Sequence, residues 1–282
     1  KDPLFKAEVA KWEELGLATE WNVGVPHFIE APGDFREKPE LKAESDRWHV
    51  GCPGMGSLVH ISPEDLQRIT LCGEVSLLRW ESDSWLVNGQ DAVSALVLAL
   101  PVAPLRALLP ADAVNHMLPA ELLAKDFEKA RIAAAWIFPV PLGLPFRIAF
   151  VKDSPISLVL NDSSRLSASS KDPEVWVVQT TTEWAATCIK DALPEMEVGR
   201  LLLCEFGRIL GKDLPMPQDE KAISWVYGDM DYKLREGCAW DETQRLALAG
   251  DWCYNGRVEG AWLSGCHAAN KVSEALQNLV GT

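Results

Sequence analysis

A short apolar run that ends in a glycine and leads into a long helical pattern constrains this chain more than any other feature. Residues 246–249 (Leu-Ala-Leu-Ala) predict a brief strand, too short to be more than the edge of a larger sheet. Gly250 follows and lets the backbone come close to whatever Asp251 faces. A carboxylate at that position can accept hydrogen bonds from sugar hydroxyls. The pattern therefore predicts a strand–turn–helix unit with a polar group at the turn.

The helix after this turn has a glycine-rich start and a buried stripe. Gly256, Gly260 and Gly265 surround a helix start predicted between Val258 and Leu263. Apolar residues then recur at helical spacing, at positions 268/269, 272, 275/276 and 279/280. Free N–H groups and a partial positive charge at such a start suit an anion. An ordinary strand–turn–helix unit that closes a domain and binds no ligand explains the same glycine pattern equally well.

The composition limits the classes of partner. The chain has 282 residues, enough for two modest domains or one large one, and 48% of them are hydrophobic. Lys and Arg total 27 against 41 Asp and Glu, which gives a formal charge of −14. This charge argues against nucleic acid or an anionic membrane as a partner. It does not argue against a dinucleotide cofactor, which backbone donors bind locally.

The cysteines and the apolar runs indicate an intracellular protein without a membrane span. Seven cysteines form no C-x-x-C pair, and there are five histidines, so we expect neither a metal site nor a disulfide framework. Free thiols fit a reducing compartment, either the cytoplasm or an organelle such as a plastid or mitochondrion. No signal peptide is visible, and Pro101 and Pro104 interrupt the longest apolar run.

Local patterns predict the order of the elements. We expect a helix from Asp2-Pro3 to Gly16, an irregular excursion over 22–46, a strand at 48–50, and a helix after Gly56 that ends near Leu66. An antiparallel meander is predicted over 69–87, followed by a strand over 92–100 that is buried on both faces of a parallel sheet. From about residue 109 to 235, strands at 130–137, 147–151, 157–160 and 176–180 are followed by helices at 183–192 and 198–210 that would cover their sheet. This pattern predicts an α+β domain inserted between two parts of the first domain.

A series of motifs resembles the renalase-like flavoproteins, a branch of the flavin amine oxidase superfamily, over nearly the whole chain. The most specific block is residues 250–253 (Gly-Asp-Trp-Cys) with residues 256–265 (Gly-Arg-Val-Glu-Gly-Ala-Trp-Leu-Ser-Gly). Further landmarks, in chain order, are residues 2–5 with Trp12, 50–55, 96–101, 161–164, 175–178 with Glu183-Trp184, Trp225 before Tyr227, and 236–240.

The resemblance implies a fold and a division of the chain. The fold is an α/β domain of the Rossmann-like, FAD/NAD(P)-binding type with an inserted mixed-sheet (α+β) substrate domain. Residues 1–45 carry the N-terminal helix and excursion on the substrate-domain side, 46–110 and 236–282 form the two parts of the FAD-binding domain, and 111–235 form the substrate domain. The family's first mononucleotide-binding unit would precede Asp2, and no G-x-G-x-x-G following a strand occurs in these residues. We expect that this unit lies outside the 282 residues, has been lost with the cofactor, or is supplied by a second chain.

The resemblance also implies an activity and a set of site residues. Such proteins bind FAD non-covalently, oxidise a small reduced substrate by hydride transfer, and pass the electrons to O2; characterised renalases act on dihydronicotinamide isomers. Asp251 would contact the ribityl or pyrophosphate region of FAD. The catalytic residue is unknown, and no general base is required. The implied cofactor-binding residues are Gly250, Asp251, Trp252, Arg257, Val258, Glu259, Gly260, Ala261 and Trp262, mainly through backbone groups, with Pro53, Gly54 and Met55 closing the other side; the implied pocket residues are Trp225, Trp184, Gln179 and Tyr227.

Some positions depart from the family pattern. Gln179 stands where bacterial members commonly have His, and Val226 where they have Arg. Asp229 and Asp231 add negative charge nearby, which disfavours an anionic substrate. We therefore expect that an active enzyme need not share the family's substrate. For each of the two pocket tryptophans, Trp225 and Trp184, packing in the core is favoured over a role in the pocket.

Two functions follow from these observations. The first is an FAD-dependent oxidoreductase acting on a dihydronicotinamide- or amine-like small molecule. The second is a cofactor-free, flavoprotein-derived subunit of a larger assembly. The retained block from Gly250 to Gly265 favours the enzyme, whereas the missing glycine fingerprint favours the assembly subunit.

Overall fold

The chain forms a mixed α/β structure. A computed structural model describes residues 2–38, 47–59, 61–70, 73–124, 128–166, 173–231, 233–254 and 256–280. The helices within these residues are α1 (Pro3–Glu14), α2 (Pro63–Leu66), α3 (Val102–Leu108), α4 (Ala111–Met117), α5 (Ala120–Ala124), α6 (Thr182–Lys190), α7 (Glu195–Leu210) and α8 (Arg257–Val280). The strands are β1 (Ala18–Glu20), β2 (His27–Ala31), β3 (Asp34–Glu37), β4 (His49–Gly51), β5 (Leu78–Glu81), β6 (Ser84–Val87), β7 (Asp91–Val93), β8 (Leu96–Ala99), β9 (Glu128–Phe138), β10 (Ile148–Val151), β11 (Ile156–Asn161), β12 (Glu174–Thr180), β13 (Asp219–Met230), β14 (Ala239–Asp241) and β15 (Leu246–Ala249).

The fold divides into two compact units. Unit 1 comprises Lys1–Glu8, Ile61–Glu128 and Asp229–Thr282, and unit 2 comprises Val9–His60 and Lys129–Gly228. These units group the chain differently from the four predicted segments, since residues 46–60 lie in unit 2 and residues 111–128 in unit 1. Pairing explains the first difference, because β4 pairs with β1 of the same unit. The functional roles assigned to the two domains stay a prediction.

A seven-stranded sheet forms the centre of unit 2. Its strand order is β13-β9-β12-β11-β10-β2-β3, and within it β10 and β2 pair in parallel. Helices α6 and α7 contribute to the core on one face, where Trp136 stacks on Phe206 with ring centroids 5.7 Å apart. Thr181 accepts a hydrogen bond from the Trp184 N–H and so caps α6, and Gly211 at φ 66° ends α7. The predicted strands and helices between residues 130 and 210 are thereby confirmed within a few residues.

Unit 1 contains two small sheets. The order of the first is β14-β15-β8, in which β15 pairs in parallel with β8 and antiparallel with β14. The second is the antiparallel meander β5-β6-β7. Side chains of both sheets and of helices α3 to α5 share one core, with Leu105, Leu246 and Leu248 completely buried. Helix α8 covers the other face of the first sheet, where Ala268 packs against Ala247 and Ala249.

Several local predictions need correction. The excursion over 22–46 contains the β2-β3 hairpin, because Ile29 and Phe35 pack in the core of unit 2 and the two strands complete its sheet. Residues 39–46 lie outside the described residues. The single helix predicted after Gly56 is a 3-10 turn at Met55–Leu58 and a separate α2, which starts at Pro63 with Ser62 as its cap.

Two strand predictions were also wrong in part. The predicted strand over 92–100 is two strands, β7 and β8, and Val97 of β8 remains 42% exposed. Strand β15 lies in the middle of its sheet and not at an edge, because it pairs on both sides. The meander begins at Leu78, residues 69–70 are irregular, and residue 71 lies outside the described residues.

Arg245 joins the meander to the central strand of unit 1. Its guanidinium donates from Nε to the Ser94 carbonyl at 2.6 Å and from Nη1 to the Asp83 carboxylate at 3.1 Å. It also lies 5.0 Å from the centroid of the Trp80 ring. The side chain is buried, so these contacts replace its hydration shell.

We predict that Arg245→Met lowers the free energy of unfolding by about 2 kcal/mol, since buried hydrogen bonds to a charged donor contribute about that much. Met keeps an unbranched apolar stem, so packing against Trp80 is largely retained. Urea unfolding followed by tryptophan fluorescence measures the change. Arg79→Met is the control, because Arg79 is 62% exposed, and it should change stability by less than about 0.5 kcal/mol. Equal stability of the Arg245→Met variant and the parent would contradict the assignment.

Candidate functional site

The turn after β15 is built around a glycine that cannot carry a side chain. Gly250 is extended, and a Cβ placed on it would lie 2.4 Å from the Trp252 Nε1 atom. Its N–H donates to the buried hydroxyl of Ser264 on α8 at 3.0 Å. A 3-10 turn, Asp251–Cys253, follows directly. Gly250 therefore lets the strand, the turn and the helix meet, and its first role is internal packing.

Trp252 belongs to the core of unit 1. Its side chain is 2% exposed, and its indole N–H donates to the Leu100 carbonyl at 3.0 Å. Only the backbone of Trp252 is therefore available to a ligand. Asp251 is half-buried at the start of the turn, and its carbonyl accepts the Gly256 N–H at 2.9 Å. The predicted contact of the Asp251 carboxylate with a cofactor stays a prediction.

Helix α8 starts with backbone N–H groups that lie before its i→i−4 hydrogen bonds. Gly256 has φ +76° and Arg257 has φ +66°, both in the left-handed region. The first i→i−4 hydrogen bond of this helix runs from the Gly260 N–H to the Gly256 carbonyl at 3.2 Å. The N–H groups of Arg257, Val258 and Glu259 therefore precede the helical ladder, and the first two residues are exposed. This end of a 24-residue helix carries the positive pole of its dipole.

Lys233 lies at the same helix start, which the sequence did not predict. A Cβ on Gly256 would lie 2.8 Å from the Lys233 Nζ atom. Two backbone bonds hold this segment against the turn, from the Leu234 N–H to the Trp252 carbonyl and from the Gly237 N–H to the Cys253 carbonyl, at 2.9 and 3.1 Å. An ammonium at the positive end of a helix is repelled by the dipole and is favoured there when an anion is present. No local pattern around position 233 signals this placement, because Trp252, Cys253 and Gly256 lie 19 to 23 positions farther along the chain.

The side chains in the first turns of α8 contact the start of α1. The Glu259 carboxylate accepts the Asp2 N–H at 2.6 Å, and the Trp262 ring lies 5.8 Å from that of Phe5. Gly260 is buried and Ala261 is exposed. The structure thus joins two of the quoted motifs, one from each end of the chain. The contacts of these residues with a cofactor, mainly through backbone groups, stay a prediction.

The cysteines near the turn are poorly suited to covalent attachment of a ligand. Cys253 is completely buried, its thiol donates to the Leu248 carbonyl at 3.4 Å, and burial raises its pKa to about 12. Burial also raises the pKa of Cys266. The reactive thiolate is therefore scarce at neutral pH. Among the described residues, no three His, Cys, Asp or Glu side chains lie close enough together to share a metal ion.

The glycine-rich loop after β4 lies in unit 2. A Cβ on Gly51 would lie 2.3 Å from the Gly54 carbonyl oxygen, and the Gly51 N–H donates to the Met55 sulfur at 3.2 Å. Pro53 and Met55 are exposed, and Gly54 is half-buried. The loop is therefore a tight, self-contained turn. Its predicted position beside a cofactor stays a prediction.

The four predicted pocket residues are divided between the two faces of the sheet in unit 2. Trp184 of α6 packs against the helix-covered core. Gln179 follows the buried Val178 and so lies on the opposite face, half-buried. Alternation along β13, in which Ala222 packs against the core, directs Trp225 and Tyr227 to that opposite face, where they are 57% and 46% exposed. Gln179, Trp225 and Tyr227 therefore share a face, and Trp184 has the core-packing role.

The fold is shared with two solved oxidase structures. One is a protein assigned as a protoporphyrinogen oxidase from Exiguobacterium sp. 255-15, with a TM-score of 0.60 and 14% identity; the match covers 84% of this chain and 54% of that one. The other is an engineered putrescine oxidase from a redesign of cofactor binding, with a TM-score of 0.50 and 14% identity, covering 71% and 48%. The chain thus spans about half the length of these structures. No protein-family model matches the sequence.

We predict that Gly250→Ala destabilises unit 1 by about 2 kcal/mol, because the added methyl group displaces the Trp252 indole from its bond to Leu100. Thermal unfolding and the red shift of tryptophan emission measure the two consequences. Gly265→Ala is the matched control: no atom lies within 4 Å of its would-be Cβ, and alanine should stabilise this helix position by about 0.5–1 kcal/mol. Equal effects of the two substitutions would show that the packing of Gly250 does not matter.

Proposed function

We propose that the protein is an FAD-dependent oxidoreductase that oxidises a small reduced substrate and passes the electrons to O2. The observation that carries the proposal is the start of α8, where Gly256 and the N–H groups of residues 257–259, which precede the helical hydrogen-bond ladder, follow the turn at Asp251. The fold shared with two oxidases supports the class, although likeness at 14% identity speaks for the fold alone.

The residues present fit one part of an FAD molecule. Backbone N–H groups and the Lys233 ammonium offer positive potential where the flavin ring, once reduced, would carry negative charge. Asp251 offers an acceptor for the hydroxyls of the ribityl chain. The glycine fingerprint that holds the adenine-side phosphates in such sites does not occur in these 282 residues. The fit therefore extends to the flavin half of the cofactor.

FAD, when bound, supplies the redox chemistry, accepting a hydride from the substrate and returning two electrons to O2. The chain's own contribution is positioning. The start of α8 and Lys233 would hold the electron-rich edge of the ring, and Glu259, already bonded to the Asp2 N–H, would fix the helix start against α1. Because hydride transfer needs no proton abstraction by the protein, no general base is assigned.

The substrate face that we propose is that of Gln179, Trp225 and Tyr227 in unit 2. Two exposed aromatic rings and a neutral amide suit a flat or amine-like small molecule. Among the flavin amine oxidases, the quoted motifs favour the renalase-like branch with a changed substrate. Six unpaired cysteines among the described residues support a reducing compartment. None of the described helices is both long enough and apolar enough to cross a bilayer.

A second candidate function is a cofactor-free subunit of a larger assembly. The exposed apolar side chains of unit 1, among them Val97 and Leu279, favour this alternative because such surfaces mark sites of protein contact. The two candidates differ in whether the protein carries a flavin.

The deciding experiment is the visible absorption spectrum of the protein isolated from its native source, before and after heat release of any chromophore. Near-stoichiometric flavin is the expected result. A colourless protein that also fails to take up added FAD would overturn the enzyme and leave the assembly subunit.

We further predict that Val258→Asp weakens FAD binding about fivefold, since a negative charge at the helix start opposes the anionic edge of the ring by about 1 kcal/mol. The same substitution should stabilise the protein by about 0.5 kcal/mol, because an acidic residue favours a helix N-terminus. Val258 is 49% exposed, so the core is not disturbed. Fluorescence titration with FAD and thermal unfolding measure the two opposite effects.

Val258→Asn is the control, because it has the shape of Asp without its charge. It should bind FAD as the parent does. If the Asp and Asn variants bind FAD with equal affinity, the start of α8 does not contact the edge of the flavin ring. The absorption spectrum would still decide whether the protein carries a flavin.

A further inference from the structure

Strand β13 forms one open edge of the seven-stranded sheet in unit 2. In the order β13-β9-β12-β11-β10-β2-β3 it neighbours β9 alone, and among the described residues no strand pairs with its other side. With 12 residues it is also the longest strand in the part of the chain that the structure describes. A long edge strand presents a row of backbone donors and acceptors, which is a template for pairing with another strand.

The two edges of this sheet differ in how they are protected from such pairing. Strand β3 at the opposite edge has four residues, three of them charged, and its Arg36 bridges Asp34 at 2.7 Å and Glu30 at 3.1 Å. Short length and charged side chains are the usual protection of a permanently exposed edge. In β13, by contrast, residues 222–228 read Ala-Ile-Ser-Trp-Val-Tyr-Gly, without a charge or a proline. The composition therefore favours β13 as the edge that another strand covers.

The uncharged stretch of β13 exposes large apolar side chains. The exposed fraction is 38% for Ile223, 57% for Trp225, 50% for Val226 and 46% for Tyr227. Aromatic and β-branched side chains of this kind stabilise a sheet when they lie opposite one another on neighbouring strands. Several of them together at one sheet edge mark a site of protein contact.

One backbone donor shows which groups of β13 point away from the sheet. The Ser224 N–H donates to the Glu195 carboxylate at the start of α7, at 3.0 Å, and so is not used by β9. Because backbone groups alternate in direction along an antiparallel strand, those of Ala222 and Val226 point to the same side. The bond to Glu195 is exposed to solvent, so its exchange for a bond to a strand carbonyl has a small net cost.

We propose that two copies of this chain pair through β13, in antiparallel orientation about a two-fold axis at Trp225, so that their two sheets become one. A two-fold axis brings identical edges together in this orientation, and closed two-fold dimers are the commonest oligomers. With Trp225 opposite the partner's Trp225, Ile223 comes opposite the partner's Tyr227. The exposed apolar side chains are thus matched with one another across the axis.

The order of charges along β13 fixes this register and favours a second copy as the occupant. Lys221 comes opposite the partner's Asp229, once on each side of the axis. An axis shifted by one residue, to Ser224, would set Asp219 opposite the partner's Asp229, and like charges directly opposite each other are destabilising. A strand from an unrelated protein would match this order of charges only by chance, whereas a second copy matches it by symmetry.

The dimer adds a residue of the second copy to the proposed substrate face. In this register the partner's Trp225 lies beside Trp225, on the face that also carries Gln179. Two neighbouring indoles would thereby border that face. The pairing itself does not rest on the proposed flavin chemistry, because it concerns contacts between two copies of the chain alone.

Sedimentation velocity of the full-length protein from about 1 to 100 µM tests the proposal, since a small interface predicts a micromolar Kd. A concentration-dependent change from monomer to dimer is the expected result. Lys221→Asp and Asp229→Lys should each weaken the dimer about tenfold, because each sets like charges opposite each other at two places. The double variant exchanges the two charges and should restore the parent's affinity. Lys190→Asp is the matched control, since Lys190 is exposed on α6 and undergoes the same change of charge.

A monomer at every concentration would overturn the proposal. A dimer of equal affinity in the parent and all four variants would also overturn it, because such a dimer uses another surface. The same holds if the double variant does not recover the affinity that the single variants lose. Circular dichroism confirms that the variants fold, and the parent's own sedimentation remains decisive if one of them does not. Since the readout is a mass, a colourless dimer would overturn the oxidoreductase and leave the pairing of β13 supported.

Discussion

The bond from the Trp252 indole N–H to the Leu100 carbonyl organises unit 1. It joins the residue that follows β8 to the turn that follows β15, so the carboxyl ends of two parallel strands are held together. The indole occupies the space where a side chain at position 250 would be, which is why that position is glycine. The position of the 3-10 turn, the Gly250–Ser264 bond and the start of α8 all depend on this packing. The motif at residues 250–253, which resembles a cofactor-binding motif, therefore has a structural role in the packing of unit 1.

The same packing explains which parts of the fold could be predicted from sequence. Helix α8 was predicted because apolar residues repeat at helical spacing from position 268 to 280, and the strands of unit 2 were predicted because they alternate or form apolar runs. Strand β15 was assigned to an edge because four residues do not reveal how many neighbours they have. Its central position depends on β8 and β14, and the first of these lies about 150 residues earlier in the chain. The β2-β3 hairpin was missed because proline and charged residues surround its short apolar pattern.

The candidate site shows a similar limit. The backbone donors of α8 could be predicted, since glycines and a helix start are local features. Lys233 could not, because its position over Gly256 arises from backbone bonds between residues 234–237 and the turn. The burial of the Trp252 side chain and the separation of Trp184 from Gln179 follow from strand alternation and helix packing, which become definite only when the faces of the sheets are known. Sequence motifs therefore identified the candidate region around the turn after β15. Tertiary packing determines which side chains in that region are accessible to a ligand.

Local and global electrostatics point in opposite directions in this molecule. The chain carries a formal charge of −14, yet the start of α8 gathers a helix dipole, the Lys233 ammonium and the exposed Arg257. At physiological salt, charges farther away than about 8 Å are screened, so the local positive potential governs what binds there. The carboxylates of Asp251 and Glu259 belong to the same turn and helix start, so an anionic ligand there would depend on the backbone N–H groups and on Lys233. A surface kept only for protein contacts would gain nothing from this arrangement. The start of α8 therefore favours a ligand role.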